Sequence, residues 1–341
     1  MKKILLINQG HTPNIGDQAI AMSMAAWGKK NGYDCDVMPF WDEKSVFQNV
    51  FLGKYAKYIK KIPGLLDLFT KRWIRELLNK KTYDAAVIGG GELFCNHRGF
   101  NSAFGSWVSF LHKRQTDIYV YGVSGDENMP KILLLRNKRA LKACKYVGVR
   151  DCYSKDVFER NYQVNVQLFP DIVFSNRDLC LDPSADKRGI VCIPIPNIVF
   201  PSANLEVVNQ SEYESYLVRL IEEKRVEDEK VFFSTTEQRD EKQVEQICRN
   251  INEKYNKDYV YVQYQDVQSF CKLVSDTRLV ISARMHAMIL GLLNKCEIEP
   301  IPFKKKLEMF QKEYGNIIDI EKIIEKSEKG LEELATFIEK E

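Results

Sequence analysis

Short apolar runs alternate with longer amphipathic stretches along almost the whole chain, and this alternation restricts the fold more than any other feature. A buried parallel strand reads as a continuous run of aliphatic residues, whereas its crossover helix repeats at 3.6 residues. The pattern therefore predicts βαβ units and parallel sheets. Strands are expected near Ile4–Ile7, Cys35–Met38, Ala85–Ile88, Ile118–Tyr121, Tyr146–Val149 and Val166–Leu168, with helices such as Ile15–Lys30, Ile132–Ala143 and Tyr153–Arg160 between them. Around Asn176–Arg188 periodicity stops in a polar, aspartate-rich stretch containing Pro183, which reads as a linker. The alternation then resumes. Strands are expected near Ile190–Ile193, Val231–Ser234, Val260–Gln263 and Leu279–Ile281, and helices near Glu212–Glu223, Glu241–Lys254, Gln268–Ser275 and Arg284–Leu293. After Lys306 the chain reads as helical to its end. The expected division is residues 1–180 and 181–341, two α/β domains whose sheets face a central cleft. Open α/β sheets bind ligands at the carboxyl ends of their strands, so that cleft is the expected site.

A chain of 341 residues is too long for one ordinary core, which agrees with two domains. The net charge of +3 is small for this length and does not point to nucleic acid. The nine cysteines are scattered, with no CxxC pair or Cys/His cluster, so neither a zinc site nor a disulfide framework is expected. They suit a reducing compartment. The apolar run Ile4–Ile7 is too short for a signal peptide and reads as a first buried strand. With no run of the ~18 apolar residues that a membrane helix needs, a soluble cytoplasmic protein is expected. Between Lys54 and Lys81, nine basic residues face two acids, Asp67 and Glu76, with aromatic and aliphatic residues between them. That mixture suits peripheral contact with an anionic membrane. It equally suits two helices flanking Pro63-Gly64 whose lysines are merely solvated.

Four places carry residues able to do chemistry. After the first strand, Asn14-Ile15-Gly16-Asp17 opens a helix whose N–H groups and positive dipole end could meet an anion. In the alternative, Asn14 or Asp17 caps the helix and Gly16 makes the turn. After the third strand, Gly89-Gly90-Gly91-Glu92 places three glycines in a row. Either a ligand passes over the strand end, or the backbone crosses a neighbour closely. Val149-Arg150-Asp151 ends a strand, with Ser154 and Asp171 further on. Arg150 faces a ligand or pairs with Asp151 or Asp171, and Asp171 orients the wall of the site. Ser282-Ala283-Arg284-Met285-His286 joins a strand to an apolar helix. With Ser282 as the expected N-cap, Arg284 and His286 fall near the first turn, away from the Met285, Met288 and Leu292 core stripe. A guanidinium fork suits a carboxylate or phosphate, and an imidazole suits proton transfer near neutral pH. An incidental surface Arg and His is the bland reading.

Taken in order, Asn14–Ile20, the Gly89–Gly91 triplet, Val149–Ser154, Pro170-Asp171 and Ser282–His286 resemble the polysaccharide pyruvyltransferase family across roughly residues 1–300. The resemblance implies two Rossmann-like domains, similar to a two-domain glycosyltransferase. It implies transfer of the enolpyruvyl unit of phosphoenolpyruvate onto two hydroxyls of one sugar, in a polysaccharide or lipid-linked precursor, giving a cyclic ketal and phosphate. Phosphoenolpyruvate is then a donor substrate, no separate cofactor is expected, and no step calls for a metal. Arg284 and His286 match the family's donor-binding pair, and Asn14, Gly16 and Asp17 its N-terminal motif. Ser282, Gly90, Gly91 and Arg150 would also meet substrate. Where family members often carry an acid after the glycine triplet, this chain has Asn96, which can position a hydroxyl but cannot take its proton. Asp17 and Glu92 remain as carboxylates for that role. A lipid-linked acceptor would bring the enzyme to the cytoplasmic face of a membrane. A sugar-nucleotide glycosyltransferase of similar architecture and a non-catalytic sugar-binding relative are the alternatives.

Overall fold

The computed structural model describes residues 1–48, 55–59, 62, 64–181, 188–196, 198, 205–226, 228–303, 305–315 and 319–340. Lys54, Lys60, Lys61 and Pro63, and residues 182–187 of the expected linker with its Pro183, lie outside them. The fold is α/β with two parallel sheets. The chain divides into two compact units, one of Met1–Thr12, Ile20–Ser175 and Ile324–Glu341, the other of Pro13–Ala19 and Asn176–Ile323. The boundary falls between Ser175 and Asn176, close to the expected division at residue 180, and two further segments cross it. The start of the first helix counts with the second unit, and the last residues count with the first.

In the first unit six strands run β1 (Lys3–Asn8), β2 (Asp34–Pro39), β3 (Ala85–Phe94), β4 (Asp117–Gly125), β5 (Tyr146–Val149) and β6 (Gln167–Leu168). Their spatial order is β2-β1-β3-β4-β5-β6, all parallel. The chain reverses direction across the sheet between β1 and β3, the place where such sheets open a crevice for ligands. The helices are α1 (Ile15–Lys30), α2 (Glu43–Gln48), α3 (Ala56–Ile59), α4 (Leu65–Leu78), α5 (Arg98–Lys113), α6 (Lys131–Leu141) and α7 (Cys152–Val157). Helix α4 turns Leu66, Trp73, Ile74 and Leu78 into the core, so its apolar stripe is used in packing.

Much of the buried face of helix α5 is small or polar. Gly99, Asn101, Ser102, Ala103 and Ser106 are buried beside Phe104 and Trp107. Two of the polar groups are held: Ser102 Oγ donates to Asp67 at 2.6 Å, and Asn101 Nδ2 donates to the Cys95 carbonyl at 2.9 Å. Phe94 anchors the surrounding aromatic cluster, with edge contacts to Phe104, Phe158 and Tyr162.

The second unit holds β7 (Ile190–Ile193), β8 (Val231–Phe233), β9 (Val260–Tyr261), β10 (Leu279–Ser282) and β11 (Glu297–Pro300). Their order is β11-β10-β7-β8-β9, again parallel. Here the direction reverses between β7 and β10, and numbered within the unit the order is 3-2-1-4-5, that of a Rossmann sheet. Edge strand β11 has the sequence Glu-Ile-Glu-Pro, and its charges and proline are what an edge tolerates and a sequence reading overlooks. The helices are α8 (Gln210–Lys224), α9 (Glu241–Tyr255), α10 (Val267–Ser275), α11 (Met285–Leu293), α12 (Lys305–Tyr314) and α13 (Ile320–Glu339). Most of α13 packs on the first unit. Trp27 Nε1 donates to the Leu331 carbonyl at 3.2 Å, Ser327 Oγ to the Asp171 carbonyl at 3.0 Å, and Gly330 lets Phe169 approach closely.

Candidate functional site

The glycine triplet lies inside a strand and does not follow one. Strand β3 runs through Gly89–Gly91 to Phe94, with a register irregularity against β4 after Gly91. Gly90 and Gly91 take φ of 79° and 85°, which side-chain-bearing residues rarely adopt. A Cβ on Gly89 would stand 2.0 Å from the Tyr121 carbonyl oxygen, and one on Gly90 would stand 2.0 Å from Ile20 Cγ2. Close backbone crossing thus accounts for Gly89 and Gly90 without a ligand. Glu92 follows, half-buried, and Asn96 is exposed in the bend before α5.

Arg150, at the end of β5, is buried in an ion pair. Its Nη1 donates to Asp171 Oδ2 at 2.7 Å and its Nη2 to Ser124 Oγ at 2.9 Å, while Asp151 stands 3.8 Å from Nε. Burial disfavours this cation, but Asp171, Asp151 and the more distant Glu92 outweigh burial and raise the guanidinium's pKa. Asp171 is itself fixed, since its other oxygen accepts from the Val173 N–H at 3.0 Å. Asp151 caps α7 by accepting from the Ser154 N–H at 2.6 Å, and Ser154 Oγ in turn accepts from the Gly125 N–H at 3.2 Å. Of the two readings of Arg150, the structure shows the ion pair.

The second unit gathers residues from three distant parts of the sequence. At the end of β10, Ser282 does not cap the following helix. Its Oγ accepts from the Arg284 N–H at 2.9 Å, a local turn, and Arg284 with φ −122° is the N-cap residue of α11. The helix starts later than the sequence suggested, and no side chain caps it. Arg284 Nη1 pairs with Glu237 Oε1 at 2.7 Å and Nη2 with Asp240 Oδ2 at 2.6 Å. Both acids are buried, with side chains 10% and 4% exposed, and Arg239 pairs with Glu237 from the solvent side. Two cations and two carboxylates therefore balance. Arg284 serves as an oriented fork more than as a loose positive charge.

Glu237 and Asp240 were not read from the sequence. They sit on the turn after β8, at a strand's carboxyl end, and that position was the available signal. The same turn holds the start of α1. Ile15 N–H donates to the Thr236 carbonyl at 2.9 Å, Gln238 N–H to the Pro13 carbonyl at 3.1 Å, and Asn14 bridges Glu237. Asn14 Oδ1 accepts from the N–H groups of Gly16 and Asp17 at 2.8 and 3.3 Å. The capping alternative therefore holds for Asn14, and these N–H groups are already spoken for. Gly16 has a separate reason to be glycine: a Cβ there would stand 2.4 Å from His286 Nδ1. The half-buried imidazole lies against the first turn of α1, beside Asp17 in sequence. Asn14, Gly16, Arg284 and His286 are thus brought together with Glu237 and Asp240. Among the described residues, no group of three or more His, Cys, Asp or Glu side chains is placed to hold a metal ion.

Comparison with known proteins gives this geometry a context. No curated protein sequence matches the chain. Solved structures share its fold at low identity. A UDP-GlcNAc 2-epimerase from Neisseria meningitidis bound to UDP-GlcNAc is 10% identical with a TM-score of 0.56, covering 98% of this chain and 100% of that one. A UDP-N-acetylglucosamine 2-epimerase from Rickettsia bellii is 13% identical with a TM-score of 0.55, covering 99% and 97%. A UDP-glucosyltransferase from Polygonum tinctorium is 8% identical with a TM-score of 0.53, covering 99% of each chain. Such similarity speaks for two Rossmann-like domains and not for a shared substrate. The family model for polysaccharide pyruvyl transferase matches residues 14–297, a span that starts at the Asn14 cap and takes in Glu237, Asp240, Arg284 and His286. The chain belongs to the polysaccharide pyruvyl transferase family.

Proposed function

We propose that this transferase moves the enolpyruvyl unit of phosphoenolpyruvate onto two hydroxyls of one sugar, forming a cyclic ketal and releasing phosphate. The observation that carries the reading is the start of α11, where a carboxylate-held Arg284 fork and the His286 imidazole stand two residues apart beside the Gly16 turn. Arg284 has donor N–H groups beyond the two engaged by Glu237 and Asp240, and these suit a carboxylate or phosphate. The uncapped start of α11 adds its dipole. In the reaction, His286 delivers a proton to the methylene carbon of the donor, leaving an oxocarbenium-like centre at the adjacent carbon. A sugar hydroxyl adds there and its proton passes to a carboxylate, Asp17 or Glu92. The second hydroxyl then displaces phosphate, which carries away the second proton.

The donor is tested by thermal shift. Phosphoenolpyruvate at ~100 times its dissociation constant is expected to stabilise the protein by about 2.7 kcal/mol. A panel in which nucleotide sugars raise Tm and phosphoenolpyruvate does not would remove the donor assignment and favour the glycosyltransferase alternative.

Glu237 supplies a second test. Glu237→Ala frees one arm of the Arg284 fork and is expected to raise donor KM by about 10- to 100-fold, the worth of a charge-assisted hydrogen bond. Glu237→Gln keeps an acceptor oxygen and should recover much of the loss. In an Arg284→Ala background the Glu237 change should add little, because both act on one contact. Full additivity would mean that Glu237 supports the fold and not the fork.

A further inference from the structure

Helix α6 has an unusual distribution of side chains for a helix on an α/β sheet. Only Asn137 and Leu141 are buried, whereas Ile132 is 76% and Leu135 59% exposed. Three apart on a helix, these two share one face. They line a groove of about 460 Å³ with Val108 and Ser109 of α5, and Arg136 and Arg139 stand in its wall. The charge around it is one-sided. Segments 98–114 and 131–145 together hold nine Lys and Arg and no Asp or Glu, although the whole chain is only +3. Arg136 is paired with Asp67 of α4 at 2.9 Å and Lys145 with Asp117 at 3.2 Å, which leaves a clear positive excess. Helix α4 packs beside α5 and adds Leu68, 63% exposed, with Lys71 and Arg72.

We infer that the α5–α6 groove is a docking surface for an anionic lipid bilayer, with Ile132 and Leu135 entering the acyl boundary and Arg139, Lys138 and Lys142 meeting lipid phosphates. The charge alone would suit any polyanion. Exposed Ile and Leu at the centre of it suit only a partner that is apolar behind its anionic surface. No described helix is long and apolar enough to cross a membrane, so the contact is peripheral. This surface is separate from the residues given a catalytic part, and it stands or falls apart from the donor assignment.

Flotation of the full chain with vesicles decides it. Binding is expected with phosphatidylcholine vesicles containing about one third phosphatidylglycerol, to weaken with salt, and to be absent with phosphatidylcholine alone. Ile132→Ser with Leu135→Ser should lower the partition coefficient by at least about tenfold, and Arg139→Gln with Lys142→Gln by about tenfold with a shallower salt dependence. Both variants should release phosphate at the wild-type rate from a soluble acceptor. Absence of wild-type binding overturns the proposal. So does binding that the Ile132 and Leu135 changes leave intact, which would mark a site for a soluble polyanion.

Discussion

Replacing His286 by alanine is expected to slow phosphate release by about 100- to 10,000-fold while changing donor affinity only a few-fold, because loss of a general acid falls on the transition state. The structure adds a second route to the same defect. Gly16 leaves no room for a methyl group, since a Cβ there would reach within 2.4 Å of His286 Nδ1. Gly16→Ala must therefore push the imidazole or the first turn of α1 aside, and a misplacement of about 1 Å can cost a hundredfold. The two variants should resemble one another in kcat. Rapid-quench phosphate assays with a competent acceptor would check both. Near-normal turnover by His286→Ala would take the histidine out of the mechanism.

The largest effect on stability is expected at Asp171. Removing its carboxylate takes from the buried Arg150 cation its shortest ion pair and leaves the Ser124 hydroxyl, Asp151 at 3.8 Å and the charge of Glu92. Breaking one side of such a buried pair costs about 3–5 kcal/mol. Asp171→Ala should accordingly lower the denaturant midpoint of the first unit strongly. Asp171→Asn keeps one acceptor oxygen but loses the charge and one of the two hydrogen bonds, and should fall between. Replacing Arg150 and Asp171 together by apolar residues should recover part of the loss, because no uncompensated charge remains. A midpoint unchanged by Asp171→Ala would show that water reaches this pair.

How much of this was legible in the sequence depended on what made each element form. Helix α1 and strand β7 were readable to the residue, because a polar turn with Asn14 and Asp17 as possible caps opens the one and a run of aliphatics forms the other. Helix α5 buries a small and polar share of its face, where Ser102 and Asn101 are held by hydrogen bonds to Asp67 and the Cys95 carbonyl, partners that no local pattern reveals. The glycine triplet was noticed but misplaced. Nothing in three glycines tells whether a strand ends or continues through a bulge, which is settled by Tyr121 and Ile20 from elsewhere in the chain. At the candidate site, Arg284 and His286 stand out as residue types at a strand-to-helix junction. Glu237 and Asp240 do not, because an acidic turn looks solvated until its distant partner is known. The cap of α11 was misassigned for a related reason: Ser282 had a local turn to satisfy first.

The return of α13 to the first unit bears on how the protein is made. Residues 324–340 leave the ribosome only after every strand of the second sheet, yet Trp27 donates to the Leu331 carbonyl, Ser327 donates to the Asp171 carbonyl, and Phe169 packs on Gly330. The first sheet can form early, but its covering is incomplete throughout synthesis of the second. During that interval the nascent first unit exposes apolar surface that a chaperone would recognise. An expressed fragment cut near residue 180 would be held in the same unfinished state, so the two units, though each has its own core, mature together.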